Sequence, residues 1–197
     1  MRPSSAASSP ELILASASPR RRVLLRQLGV KFRVVPSRVH ERSRQRAPRR
    51  LVEELALRKA KDVARRNPKA VVLGADTIVV CRREILGKPR DHADSLRILG
   101  LLNGRWQQVY TGIAVVLQGG RTVFVRSVIS RVLARRLNES QLRRLAGKHP
   151  DKAGAYAVQD REDPFIERIS GDYDNVVGLP LHATRRLLQQ AGVFPKR

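Results

Sequence analysis

Short apolar runs alternate along this chain with stretches of helical periodicity. Leu12-Ile13-Leu14-Ala15 is an unbroken apolar run of strand length, and residues 16–19 form a turn after it. Residues 19–28 read as a helix, with Ser18 as its cap, Pro19 at its first position and Gly29 past its end. Residues 30–35 alternate like a strand, and the polar segment 38–48 reads as a mobile loop. Residues 50–66 form a second helix with Leu51, Leu55, Val63 and several alanines on one side. Val71-Val72-Leu73 and Ile78-Val79-Val80-Cys81 read as two strands, the second turning at Arg82-Arg83. A capped helix over 91–102 is stopped by Asn103-Gly104, and strands over 109–117 and 122–132 flank the hairpin signal Gly119-Gly120. Residues 138–146 are a short helix with Gln141 placed for a capping box, and 180–190 is the last helix. Helices alternate with strands and hairpins occur among them, which predicts an α/β fold around a mixed sheet.

Composition narrows the picture. The 197 residues suit one folded domain over 11–197 behind a Ser/Ala/Pro-rich disordered tail over 1–10. A hydrophobic share of 42% excludes a disordered chain, and 4% aromatics means an aliphatic core. The single cysteine, Cys81, excludes an internal disulfide and fits a reducing, cytoplasmic setting. No apolar stretch reaches the roughly 20 residues that a membrane helix requires. The net charge of +23 favours phosphate-bearing partners. The basic residues are spread along the chain without interleaved aromatics, so a solvated surface accounts for most of them and nucleic acid is not the expected partner.

Four segments carry candidate chemistry. Ser18-Pro19-Arg20-Arg21-Arg22 puts three arginines in a helix's first turn, where the macrodipole is already positive. Such a turn either binds oxyanions or fans its guanidinium groups into solvent, and local physics leaves both readings open. Asp76 interrupts an apolar run, so it needs a cation or donors; it is either a rigidly held functional carboxylate or a turn residue between two strands. Lys88 sits in the constrained turn Gly87-Lys88-Pro89, and Lys59 lies near the apolar side of its helix. Asp151-Lys152-Ala153-Gly154-Ala155-Tyr156 with Gln159 is either a base-binding loop or an ordinary tight one.

Together these segments resemble the Maf family of nucleotide pyrophosphatases. Leu14-Ala15-Ser16-Ala17-Ser18-Pro19-Arg20-Arg21 is similar to that family's opening motif. Gly74-Ala75-Asp76-Thr77, Gly87-Lys88-Pro89, Tyr110-Thr111-Gly112 and Val176-Val177-Gly178-Leu179-Pro180 match later blocks in the same order. The block at 151–156 with Gln159 resembles the subfamily acting on dTTP and UTP. The resemblance implies an elongated mixed sheet with flanking helices and two lobes around a cleft, as in inosine-triphosphate pyrophosphatases. It implies Asp76 as proton acceptor, Arg20, Thr77 and Gln159 as residues of substrate choice, and Arg21, Lys59 and Lys88 as phosphate contacts. It further implies a divalent metal, Mg²⁺ or Mn²⁺, with Glu41 and Asp76 as ligands. The partner is then a nucleoside triphosphate, a homodimer is admitted, and neither a membrane nor nucleic acid has a part. Alternative readings are a pyrophosphatase for 7-methyl-GTP or damaged purine triphosphates, and a nucleic-acid-binding or division-regulating protein without turnover. Three positions depart from the family: Val23 replaces a usual Glu, His40 a frequent Asp, and Asp160 a Gly.

Overall fold

The computed structural model describes residues 10–159 and 165–194. Seven strands form one mixed sheet: β1 (Leu12–Leu14), β2 (Phe32–Val34), β3 (Val71–Cys81), β4 (Glu84–Leu86), β5 (Trp106–Leu117), β6 (Thr122–Ala134) and β7 (Ile166–Ser170). Their order is β2-β1-β3-β5-β6-β7, with β4 paired to the far end of β3. The first three run parallel, and every later pairing is antiparallel. The helices are α1 (Pro19–Arg26), α2 (Pro48–Arg66), α3 (His92–Leu102), α4 (Glu139–Leu145), α5 (Tyr173–Val177) and α6 (Leu181–Gln190). The α/β class and the mixed sheet are as the sequence implies. None of these helices is long and apolar enough to cross a membrane.

Local signals account for most boundaries. Ser18, Asp91 and Asn138 cap α1, α3 and α4 through their side chains, and the capping box at Gln141 is formed. One reading fails: Val71–Cys81 is a single strand, buried along nearly all its length, and Asp76 is not in a turn. A Cβ on Gly74 would strike the carbonyl of Ala56 and the amide of Ala60 on α2. A Cβ on Gly112 of β5 would likewise strike Val52. These two glycines let the backbone of α2 lie directly on the sheet. The loop over 38–48 is tied to that helix: Asp62 accepts from the Arg38 amide, Arg58 donates to the carbonyls of His40 and Arg42, and Ser43 donates to Glu54.

The core lies on both faces of the sheet. Ile13, Val72, Ala114 and Val116 pack against Ala56, Ala60 and Val63 of α2. On the opposite face Leu12, Leu14, Leu73 and Ile113 meet Leu24 and Leu25 of α1 and Leu187 and Leu188 of α6. Further along that side Val79, Val109 and Val132 meet Ile98, Leu99 and Leu102 of α3, with Tyr156 and Phe165.

Candidate active site

One edge of β3 pairs with β1 at Val71, Val72 and Leu73 and with β4 at Val79, Val80 and Cys81. Between them the register leaves Ala75, Asp76, Thr77 and Ile78 without a strand neighbour on that edge. Successive side chains of a strand point to opposite faces, so Asp76 and Thr77 address the two sides of this gap.

On the α2 side, Asp76 is 6% exposed and Lys59 8%. Lys59 Nζ donates to Asp76 Oδ1 at 2.5 Å and to Glu41 Oε1 at 2.8 Å. Lys88 Nζ lies 3.4 Å from Glu41 Oε2. Burial opposes ionisation of Glu41, but the hydrogen bond from Lys59 and the charges of Lys59 and Lys88 outweigh it and hold the carboxyl below its ordinary value. The tethered 38–48 loop brings Glu41 here, and the glycine seat of α2 brings Lys59.

On the other side, Arg21 Nε donates to Gly178 O at 2.9 Å, Nη1 to Ala75 O at 2.9 Å and Ser16 Oγ at 3.3 Å, and Nη2 to Thr77 Oγ1 at 3.1 Å. Burial lowers the pKa of this guanidinium, and the charge of Asp76 works against that shift. Four of its five N–H groups serve protein oxygens, so Arg21 braces the site and keeps one donor for a ligand. Arg20 instead projects outward and pairs with Asp151 at 3.2 Å. Asp151 also accepts from Lys152 at 3.1 Å. Burial raises the Asp151 carboxyl, but the bond from Lys152 and the charge of Arg20 bring it below its ordinary value.

Two cavities open at the gap. One of about 370 Å³ is walled by Val79, Val109, Tyr156, Val158 and Val176 and carries Thr77, Lys88 and Gln159. The other, about 870 Å³, holds Asp76 and Glu41 with Arg20, Arg42, Arg46, Lys59 and Lys88. They share Arg20, Arg21, Thr77, Lys88 and Asp151 at their junction. An apolar slot beside a basic basin suits a planar ring joined to a polyanion. Gly154 makes the slot possible: it has φ +79, and a Cβ there would sit 2.7 Å from the Tyr156 ring. Its amide donates to Gly87 O at 3.1 Å, which couples the loop at 151–156 to the turn that bears Lys88.

All eight residues singled out from the sequence line one cavity or the other. Three further residues escaped that reading as site elements: Asp151, Thr111 and Asn175. Asp151 and Thr111 were visible only as members of motif blocks and Asn175 was in none, because their partners are remote in sequence. Of the departures, Val23 is 49% exposed on α1 and His40 is exposed; neither lines a cavity. Asp160 lies outside the described residues. Among the described residues no three His, Cys, Asp or Glu side chains converge as a metal cage. Asp76 and Glu41 remain as a pair of hard oxygen donors with an ammonium between them.

A mixed α/β sheet with a buried Lys–Asp pair at a cavity lined by basic side chains gives this chain a site electrostatically suited to anions. The chain matches the family described as Maf-like protein over residues 11–191 and belongs to that family. It is 45% identical over 182 residues to the dTTP/UTP pyrophosphatase of Elusimicrobium minutum, covering 92% of this chain and 99% of that one. It is 49% identical over 183 residues to the protein of the same description from Symbiobacterium thermophilum, covering 92% and 94%. Among solved structures, the nucleoside-triphosphatase (dITP/XTP pyrophosphatase) of Mycobacterium abscessus aligns with a TM-score of 0.46 at 16% identity, covering 94% of this chain and 100% of that one.

Proposed function

We propose that this protein hydrolyses dTTP and UTP to the nucleoside monophosphate and pyrophosphate. The observation that carries the reading is the Asp76 carboxylate, held rigidly in a buried strand and open to the basic cavity where an apolar slot adjoins it. Relatives at 45% and 49% identity described as dTTP/UTP pyrophosphatases support the choice of substrate.

In this reading the pyrimidine lies in the slot beside Thr77 and Gln159, and the triphosphate lies across the gap in the sheet edge. Arg20 and Lys88, at the junction, take phosphate oxygens, and Lys59 offers them its remaining N–H. Water attacks the α-phosphorus. A bond forms from its oxygen to that phosphorus, the bond to the bridging α–β oxygen breaks, and pyrophosphate leaves. Asp76 accepts the proton through Oδ2, which takes no hydrogen bond among the described residues, while Lys59 fixes Oδ1. The cations stabilise the charge that builds on the oxygens. Asp76 and Glu41 are the residues that would hold Mg²⁺ or Mn²⁺, with substrate oxygens and waters completing the shell. Such an ion would neutralise phosphate charge and acidify a bound water.

The test is pyrophosphate release over a panel of triphosphates with Mg²⁺ or Mn²⁺. dTTP and UTP are expected to give the highest kcat/KM, and Asp76→Asn to abolish turnover while still binding substrate. A preference for GTP or 7-methyl-GTP refutes the assignment of base, and a fully active Asp76→Asn enzyme refutes the mechanism.

A further inference from the structure

The side chains behind Thr77 form a chain of hydrogen bonds whose direction is fixed at both ends. Arg21 Nη2 stands 3.1 Å from Thr77 Oγ1, Thr77 Oγ1 stands 2.9 Å from Thr111 Oγ1, and Thr111 Oγ1 stands 3.0 Å from the carbonyl of Asn175. A guanidinium only donates and a carbonyl only accepts. Thr111 must therefore spend its one hydrogen on Asn175. Its bond with Thr77 then exists only if Thr77 donates.

The far end of the chain is firmly set. Thr111 and Asn175 are both fully buried. Asn175 Nδ2 donates to Val109 O at 3.1 Å and to Ser130 Oγ at 2.9 Å, and its amide donates to Asp172 Oδ1 at 3.0 Å. The Leu179 amide, just past the end of α5, goes to Asp174 O, so it leaves the Asn175 carbonyl to Thr111. Reversing the middle bond would strip that buried carbonyl of its donor, and a buried acceptor left unmade is costly.

We propose that this relay makes Thr77 an acceptor, and only an acceptor, toward whatever lies in the slot, and so selects a pyrimidine that carries an N3–H. Thr77 has one hydrogen and two lone pairs. The hydrogen is given to Thr111, and one lone pair is taken by Arg21. A single lone pair remains for the ligand. Uracil and thymine present a donor at N3, whereas cytosine presents a lone pair there, which would face another lone pair. Gln159 cannot make the distinction by itself, because an exposed amide rotates to serve either edge. The selectivity then belongs to Thr77 and to three positioning residues behind it: Arg21, Thr111 and Asn175. Thr111 and Asn175 line neither cavity.

This inference rests on the pyrimidine reading above, and the experiment separates the two. Thr111→Val keeps the shape and removes the acceptor, so Thr77 regains a hydrogen to offer. Thr111→Ser keeps the relay. kcat/KM is measured for UTP and CTP, and equilibrium binding for UMP and CMP, in wild type and both variants. The UTP-to-CTP and UMP-to-CMP ratios are expected to fall about tenfold in Thr111→Val, the scale of one hydrogen bond, and to hold in Thr111→Ser. Wild-type ratios in a folded Thr111→Val protein overturn the relay, and so does an equal fall in Thr111→Ser. Wild type turning over no pyrimidine triphosphate defeats the functional reading, while the monophosphate ratios still test the relay. If Thr111→Val does not fold, the wild-type hydroxyl protons decide, seen by NMR with labelled threonine. Slow exchange at both Thr77 and Thr111 is expected, and a Thr77 hydroxyl exchanging at the solvent rate overturns the proposal.

Discussion

Deleting the ammonium of Lys59 tests how the site is held together. Lys59→Met keeps the length of the side chain and the contacts of its stem but removes the charge. The ammonium lies 2.5 Å from Asp76 and 2.8 Å from Glu41, and the side chains of Lys59 and Asp76 are only 10% and 8% exposed. Glu41, at 48% exposed, regains water when released and contributes little to the loss. Asp76 cannot. A buried carboxylate deprived of its partner costs about 3–5 kcal/mol, against a total fold stability of about 5–15 kcal/mol. The variant is expected to lose about 3 kcal/mol at neutral pH, the lower end of that range, because the site opens to a cavity. Urea unfolding at neutral pH measures it, with the slope m unchanged. Combining Lys59→Met with Asp76→Asn should recover most of the loss, since a neutral amide needs no cation. An unchanged urea midpoint, or a double variant no better than Lys59→Met alone, refutes charge pairing as the device that holds the site.

Two further expectations concern stability. Gln107 on β5 is 2% exposed and neither of its amide atoms has a hydrogen-bond partner among the described residues, so Gln107→Met should raise stability by about 1–2 kcal/mol and the melting midpoint by a few degrees; a lower midpoint would mean that the amide is bonded. The hydrogen bonds of Arg90 and Arg97 hold the Asp94 carboxyl at about 2 against an ordinary 3.8, so its stabilisation is present above pH 3.8 and lost as pH falls through 2. The exposure of both arginines reduces the effect to about 1 kcal/mol. Asp94→Asn should flatten the urea midpoint over that acid range, and an unchanged acid limb would dismiss the contribution.

What the sequence disclosed, and what it hid, divides along the reach of the interactions. Capped helices such as α3 and α4 and the β5–β6 hairpin were legible, because Asp91, Asn138 and Gly119-Gly120 act within a few residues of themselves. The turn at Arg82-Arg83, where both residues take left-handed φ values of 49° and 68°, was legible too, but β4 beyond it was not, because a strand of three residues carries no periodicity. The relay through Thr111 and Asn175 was illegible for a different reason. The direction of a hydroxyl's bond follows from a closed chain of donors and acceptors, and the links of this chain span 34, 56 and 64 residues. Asp76 stands between these cases. The cost of its burial showed from the sequence that it needed a cation, and the apolar side of α2 suggested Lys59. Two glycines belong to the same arrangement. Gly112 is the register partner of Asp76 across the sheet, and Gly74 lies two residues before it on the same face. The missing side chains at 74 and 112 let Val52, Ala56 and Ala60 of α2 press onto the sheet, and that close approach carries Lys59, one residue before Ala60, to the carboxylate. The close approach allowed by two glycines and a carboxylate buried in the strand beside them are together what assembles the site.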